Sequence, residues 1–163
     1  MEKILFVIDK VELKYFEYNK LVTNFWLIKE FLDRKCEVYI TTMNLLSLKN
    51  TVPYSKCYES FKQEDNIFYK KDLLELEINS FDLVMFRPDP PVDVDYINAT
   101  HIFDFVSTKV INSPASIRRF NEKLHSLYFN EFMTESIVTS QILERPLSKS
   151  AIASIITNSS FRR

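Results

Sequence analysis

The chain is predicted to fold as an α/β domain around a mostly parallel sheet of about four strands, and three observations carry that expectation. Leu83 to Phe86 (LVMF) is an apolar run without alternation, the pattern of a strand covered on both faces. Lys3 to Asp9 (KILFVID) and Glu37 to Thr41 (EVYIT) flank a stretch with helical spacing, so the first segment reads as a β-α-β unit. A second helical pattern then separates the Leu83 run from a short β-branched run at Val110 to Asn112.

Each element has its own signal. From Asn19 to Arg34 the residues Leu21, Phe25, Ile28 and Leu32 recur at helical spacing, with Val22, Trp26 and Phe31 widening the stripe and Asn19 placed to cap. Met43 to Leu76 is punctuated by Asn50, Pro53 and Gln63-Glu64-Asp65 and is expected to be an irregular excursion, with the charged run Lys70 to Glu75 a surface turn or short helix. After Pro88, Pro90 and Pro91, Asp93 or Asp95 is expected to cap a helix whose stripe is Ala99, Ile102, Phe103 and Val106. His101 lies off that stripe and reads as a solvated or partly packed side chain rather than a catalytic base. Ser113-Pro114 is a helix start, Ser as N-cap and Pro at the first helical position, with Ile117, Phe120, Leu124 and Leu127 as its buried face.

Composition narrows the chemistry. The 163 residues are 46% hydrophobic and 14% aromatic, enough for one core, and include no glycine, where average usage would give about 11. No Walker loop, G-x-G-x-x-G turn or glycine-rich phosphate lid can be built, because each needs a backbone without Cβ close to phosphate. Turns must fall on Asn, Asp, Pro and Ser, as at Lys49-Asn50 and Ile78-Asn79-Ser80. The formal net charge of -1 gives no basic field for nucleic acid and no polybasic helix for a membrane. Cys36 and Cys57 are isolated and lack metal-ligand spacing, so they read as buried or half-buried free thiols. The apolar run after Met1 is too short for a signal sequence, and the expectation is a cytoplasmic protein.

The candidate binding residues stand at strand ends, where open α/β sheets hold their ligands. Arg87 follows the Leu83 run directly, and its guanidinium can fork onto a carboxylate or phosphate; equally, it can pair with Asp82, Asp89 or Asp93 in a surface network. Asp9 ends the first strand and reads either as a contact to a substrate amine or to Arg87, or as a cap or turn acid. Taken by itself, Lys123 reads as a solvated charge on the outer side of its helix.

Three blocks resemble the N-terminal part of prokaryotic glutathione synthetases. Met85 to Thr100 is similar to that family's M-R-x-D-P-P-x-D followed by I-x-A-T; Val110 to Leu124 (VINSPASIRRFNEKL) is similar to its V-N-x-P-x-S-L-R-x-x-N-E-K-L; Thr134 to Thr139 (TESIVT) is the third. With Ile4 to Asp9 the likeness spans roughly residues 3 to 139. Lys10 departs from the family's Pro, Pro88 stands where a Lys is usual, and Lys35-Cys36 replaces a turn that contains Gly.

The resemblance implies a three-layer pre-ATP-grasp (Rossmann-like) domain, an ATP- and magnesium-dependent ligation of γ-glutamylcysteine with glycine, substrate contacts at Arg87 and Asp9, and a nucleotide-phosphate contact at Lys123. It divides the chain into a substrate-side domain at 1–120, the beginning of an ATP-grasp domain at 121–139 and a divergent, loosely ordered tail at 140–163. The family continues beyond this point into a glycine-rich catalytic domain, so this chain is expected not to ligate alone and not to bind ATP or magnesium tightly. Its expected ligand is γ-glutamylcysteine or glutathione, and its expected partner a second polypeptide carrying the ATP-grasp domain. The alternative is a non-catalytic small-molecule-binding module or a subunit of a split ligase.

Overall fold

The computed structural model describes residues 1–10, 20–89, 91–120 and 122–133, the side chains of Glu122 and Lys123 excepted. The chain divides into two compact units, Met1–Ser116 and Ile117–Arg163.

The first unit holds a mixed seven-stranded sheet. Strands β1 (Lys3–Ile8), β2 (Glu37–Thr42), β6 (Leu83–Phe86) and β7 (Lys109–Ile111) form its parallel part in the order β2-β1-β6-β7. These are the strands expected from the apolar runs. Helix α1 (Thr23–Asp33) covers one face, where Phe25 and Ile28 pack with Ile4, Phe6, Ile8, Val38, Ile40 and Met85. On the other face lies α2 (Val94–Ile102), which places Tyr96 edge-on to Phe86 at 5.4 Å; Phe103, just past its end, meets the same ring at 5.1 Å. Successive strand residues point to opposite faces, so Met85 serves the first layer and Phe86 the second. Helix, sheet and helix make the three layers.

Residues 43–76 differ from expectation. In place of an irregular excursion, a short β3 (Leu46–Lys49) pairs with the 12-residue β4 (Val52–Gln63), which also pairs with the equally long β5 (Asn66–Glu77); all three pairings of β4, including that with β2, are antiparallel. Lys70 to Glu75 lies in the middle of β5, neither turn nor helix: Asn66 to Tyr69 and Leu73 to Glu77 pair with β4, and Lys70 to Asp72 fall at the register shift between these two ladders.

Helix α1 begins at Thr23 rather than Asn19, with Val22 as N-cap and no side-chain cap. The Trp26 indole donates to the Lys20 carbonyl at 2.8 Å and holds that segment in a turn, which leaves Leu21 outside the stripe at 96% exposure. Its C-terminus is a Schellman motif: Cys36 N–H bonds to Phe31 O at 3.0 Å, Lys35 N–H to Leu32 O at 2.9 Å, and Lys35 takes φ 65°. Elsewhere too the glycine-free turns place ordinary side chains at positive φ. Asn50 and Thr51 (φ 48° and 69°) form the two-residue turn between β3 and β4, and Glu64 (φ 55°) the turn between β4 and β5.

Asp93 caps α2, its carboxylate accepting from Tyr96 N–H at 2.9 Å, and Ser113 Oγ accepts from Ser116 N–H at 3.3 Å at the start of α3 (Pro114–Arg119). The apolar face expected beyond α3 does not form. The segment breaks into α4 (Glu122–His125) and a 3-10 stretch (Ser126–Phe132), so positions 117 to 127 no longer share one helical side, and Phe120, Leu124 and Leu127 are exposed. In the second unit the His125 ring lies between Phe120 at 4.7 Å and Tyr128 at 5.4 Å. The expected tail at 140–163 lies outside the described residues.

Two measurable consequences follow from this packing. Lys35→Gly should raise stability by about 1 kcal/mol, seen as a higher urea midpoint at unchanged slope, because glycine occupies the left-handed position without the Cβ clash. Cys57 is fully buried and burial pushes its thiol up to about 12, whereas Cys36 is half-buried. A disulfide reagent at neutral pH should therefore titrate Cys36 in the native protein and reach Cys57 only at the unfolding rate. Two equally fast thiols would contradict this core.

Candidate functional site

The carboxyl ends of β1 and β6 come together because the two strands pair in parallel from Ile4↔Leu83 to Val7↔Phe86, and Arg87 N–H continues the ladder onto Val7 O at 2.9 Å. Asp9 and Arg87 thus leave neighbouring strands at the same end of the sheet. Beyond Arg87 the chain has neither helix nor strand until α2, as three prolines dictate; of these, Pro90 lies outside the described residues.

Arg87 is half-buried. Its Nε donates to Asn24 Oδ1 at 2.7 Å, and Asn24, itself buried at the start of α1, approaches the Arg87 carbonyl with its amide nitrogen at 3.5 Å. None of the three acids weighed as partners, Asp82, Asp89 and Asp93, forms an ion pair with the guanidinium. Asp82 instead accepts from Lys3 N–H at 2.7 Å, and Asp93 is the helix cap. One edge of the guanidinium is therefore held by a neutral amide, and no described carboxylate neutralises it. The two terminal nitrogens meet no acid among the described residues, and their geometry suits a planar anion.

Asp9 accepts from Asp89 N–H at 2.5 Å, which ties the first strand end to the proline loop. Among the described residues it makes no ion pair with Arg87. Burial pushes its carboxyl above the ordinary value near 3.8; the hydrogen bond from Asp89 opposes that shift and the nearby Asp89 charge adds to it. The geometry is that of the turn acid weighed above, and among the described residues the other carboxylate oxygen has no hydrogen-bond partner.

Next to these strand ends lies a cleft of about 440 Å³, lined among others by Ile8, Lys10, Thr42, Asn44, Asp95 and Asn98. Lys10 and Ile8 flank Asp9 in sequence, but neither Asp9 nor Arg87 lines the cleft. Asp93 and Asp95 give its α2 side an acidic character, with Lys10 opposite in charge.

Lys123 belongs to α4 and its side chain lies outside the described residues. His101 is exposed and pairs with Asp104 at 3.3 Å. Asn24 is the site residue that sequence reasoning missed. An asparagine at a helix start reads as a local cap, and nothing in the pattern announces a bond to a residue 63 positions away.

Among the described residues no three His, Cys, Asp or Glu side chains converge to hold a metal, and the sequence has no glycine for a phosphate cradle. No helix among the described residues is long and apolar enough to cross a membrane.

Comparison with known proteins agrees with the three motif blocks. Residues 3–118 match the family model of the prokaryotic glutathione synthetase N-terminal domain. The chain is 31% identical over 145 residues to a glutathione synthetase of Buchnera aphidicola, covering 86% of this chain and 44% of the relative. Against a glutathione synthetase of Neisseria meningitidis it is 30% identical over 148 residues, 85% of this chain and 46% of the relative. For one of Vibrio parahaemolyticus the values are 32% over 123 residues, 72% and 39%. The chain thus spans less than half the length of these relatives. A family model that matches most of the chain, on a three-layer α/β fold with the family's Arg-x-Asp loop at a strand end, establishes that this chain belongs to the prokaryotic glutathione synthetase N-terminal domain family.

Proposed function

We propose that this chain is the substrate-side module of a glutathione-forming ligase and binds a carboxylate of γ-glutamylcysteine or glutathione at Arg87. The observation that carries the reading is the guanidinium itself: half-buried at a strand end, fixed through Nε by Asn24, and unpaired with any described acid. A planar carboxylate received by the two terminal nitrogens would gain two parallel charge-assisted bonds at a group already oriented for them. Asp9, one strand over, would accept the ligand's ammonium with the oxygen that Asp89 does not engage.

On this reading residues 1–120 form the substrate-side domain, 121–139 begin a nucleotide-binding domain in which Lys123 meets the phosphates, and 140–163 are a divergent tail. The ATP and magnesium chemistry is supplied by an ATP-grasp domain, because the described residues here offer neither a three-ligand metal cluster nor a phosphate cradle. Family membership supports the substrate class, and the strand-end geometry supports the residue.

Calorimetric titration with γ-glutamylcysteine and with glutathione tests the proposal. Arg87→Ala should weaken binding by about tenfold to a hundredfold, the worth of roughly 1.5 to 3 kcal/mol for a charge-assisted contact, whereas Arg118→Ala should leave it within about twofold. Absence of binding to the unaltered chain, or equal losses in both variants, would overturn it.

Asp9 gives a second check through its proton. Its carboxyl is raised in the folded state, so between the ordinary value and the raised one the native protein holds more proton than the unfolded chain, and stability falls as pH rises through that window. Asp9→Asn removes this contribution. In urea unfolding from about pH 3 to pH 6, the stability of the original chain relative to the variant should decline with pH; a relative gain with pH would mean that Asp9 is paired with a cation in the native state.

A further inference from the structure

Asn24 is only 3% exposed, a rare burial for an asparagine. It stands in the first turn of α1 beside Phe25, which is fully buried, and Ile28 one turn on is fully buried too, so the helix that carries it is anchored in the core. Its planar amide meets residue 87 twice. Oδ1 accepts from Arg87 Nε at 2.7 Å, and Nδ2 faces the Arg87 carbonyl at 3.5 Å. Nε carries only a hydrogen, so the amide oxygen must face it and the amide nitrogen falls to the carbonyl; the flipped amide would satisfy neither. The N–H of Arg87 is held by Val7 O, and Pro88 confines the residue before it to extended backbone. Main chain and side chain of Arg87 are thus fixed by different neighbours.

Two properties of this amide bear on an anion. It joins an acceptor and a donor in one rigid plane, whereas an aspartate would accept from Nε and set a second acceptor against the Arg87 carbonyl. It is also neutral: a carboxylate in its place would meet the guanidinium charge within the chain and compete with an incoming anion. Ordering a long, flexible side chain on binding weakens affinity, and a clamp already closed in the free chain removes that loss.

We infer that Asn24 is the positioning residue of the anion site, holding the Arg87 side chain in its binding arrangement before the ligand arrives and keeping the guanidinium charge available to it. The inference rests on the reading of Arg87 as the carboxylate-binding group and adds to it the residue that sets its affinity and its preference for anions.

A double-mutant cycle on the full chain, read by calorimetric titration with γ-glutamylcysteine, tests it. Asn24→Ala should weaken binding about tenfold in the original chain but leave it within about twofold once Arg87 is already alanine, because a positioning residue acts only through the group it positions. A residue that merely supported the fold would weaken both backgrounds alike. Asn24→Asp, of the same size and shape, should also weaken binding about tenfold or more, although it can still accept from Nε. Urea midpoints confirm that each variant is folded. In NMR of the free chain the Arg87 Nε proton should exchange slowly with solvent, and fast in Asn24→Ala; equally fast exchange in both overturns the clamp without reference to any ligand. Equal losses in the two backgrounds overturn the inference, as does an Asn24→Ala or Asn24→Asp chain that binds like the original, and in these cases a loss on Arg87→Ala leaves the reading of Arg87 standing. An original chain that does not bind, or an Arg87→Ala chain that binds as well as the original, overturns that reading and the inference with it.

Discussion

The parallel pairing of β1 with β6 is the interaction on which the site depends. These strands lie far apart in sequence, yet their register, from Ile4↔Leu83 to Val7↔Phe86, decides what stands at the sheet's end. A slip of one residue would turn Met85 from the α1 layer to the α2 layer and Phe86 the reverse, which would cost both cores at once. Because burial on two faces fixes the register so firmly, the bond from Arg87 N–H to Val7 O follows, and with it the delivery of the guanidinium to the α1 side, where Asn24 waits. The Asp9 bond to Asp89 then closes the loop that the prolines have already stiffened. Site geometry here is a by-product of core packing.

The absence of glycine acts as a second constraint. Among the described residues Lys35, Asn50, Thr51 and Glu64 occupy left-handed backbone, at a cost of about 1 kcal/mol or more each relative to glycine. Only Asn50 falls on a residue type that tolerates the region well. Each of the others lies at a tight connection where two pieces of regular structure enforce the turn: the Schellman end of α1, or a two-residue hairpin between long paired strands. The chain reaches tight turns by letting tertiary pairing override local preference, and the stability of the sheet carries that cost.

The same override explains what was legible in the sequence. Strands β1, β2 and β6 were readable because each is buried on both faces and therefore written largely in apolar and β-branched residues, and β7, half exposed at the other edge, by its β-branched pair Val110-Ile111. The α2 cap and the Ser113-Pro114 start were readable because capping chemistry is local. β4 and β5 were not. Pro53 lies within β4, one residue from its start, and β5 carries Lys70, Lys71, Asp72 and Glu75 among leucines, so neither shows the alternation of a half-buried strand. What makes them strands is each other, through a register that runs from Tyr54↔Glu77 to Gln63↔Asn66 with one irregularity near Tyr58 and Ser60. Arg87 and Asp9 could be placed at strand ends from the pattern alone; Asn24 could not, since its role is a contact between the first helix and a distant strand.

An edge strand that reads poorly as a strand is informative in its own right. Leu73 and Leu74 sit side by side in sequence and face opposite sides of the sheet, yet both remain exposed, so the middle of β5 lacks the covered face that normally justifies an apolar strand residue. In β1, by contrast, the apolar residues Ile4 to Ile8 are all buried between the layers. Among the described residues the helical layers cover the leucines and phenylalanines of β1 and β6, whereas Leu73 and Leu74 of β5 stay exposed and owe their strand conformation to the ladder with β4.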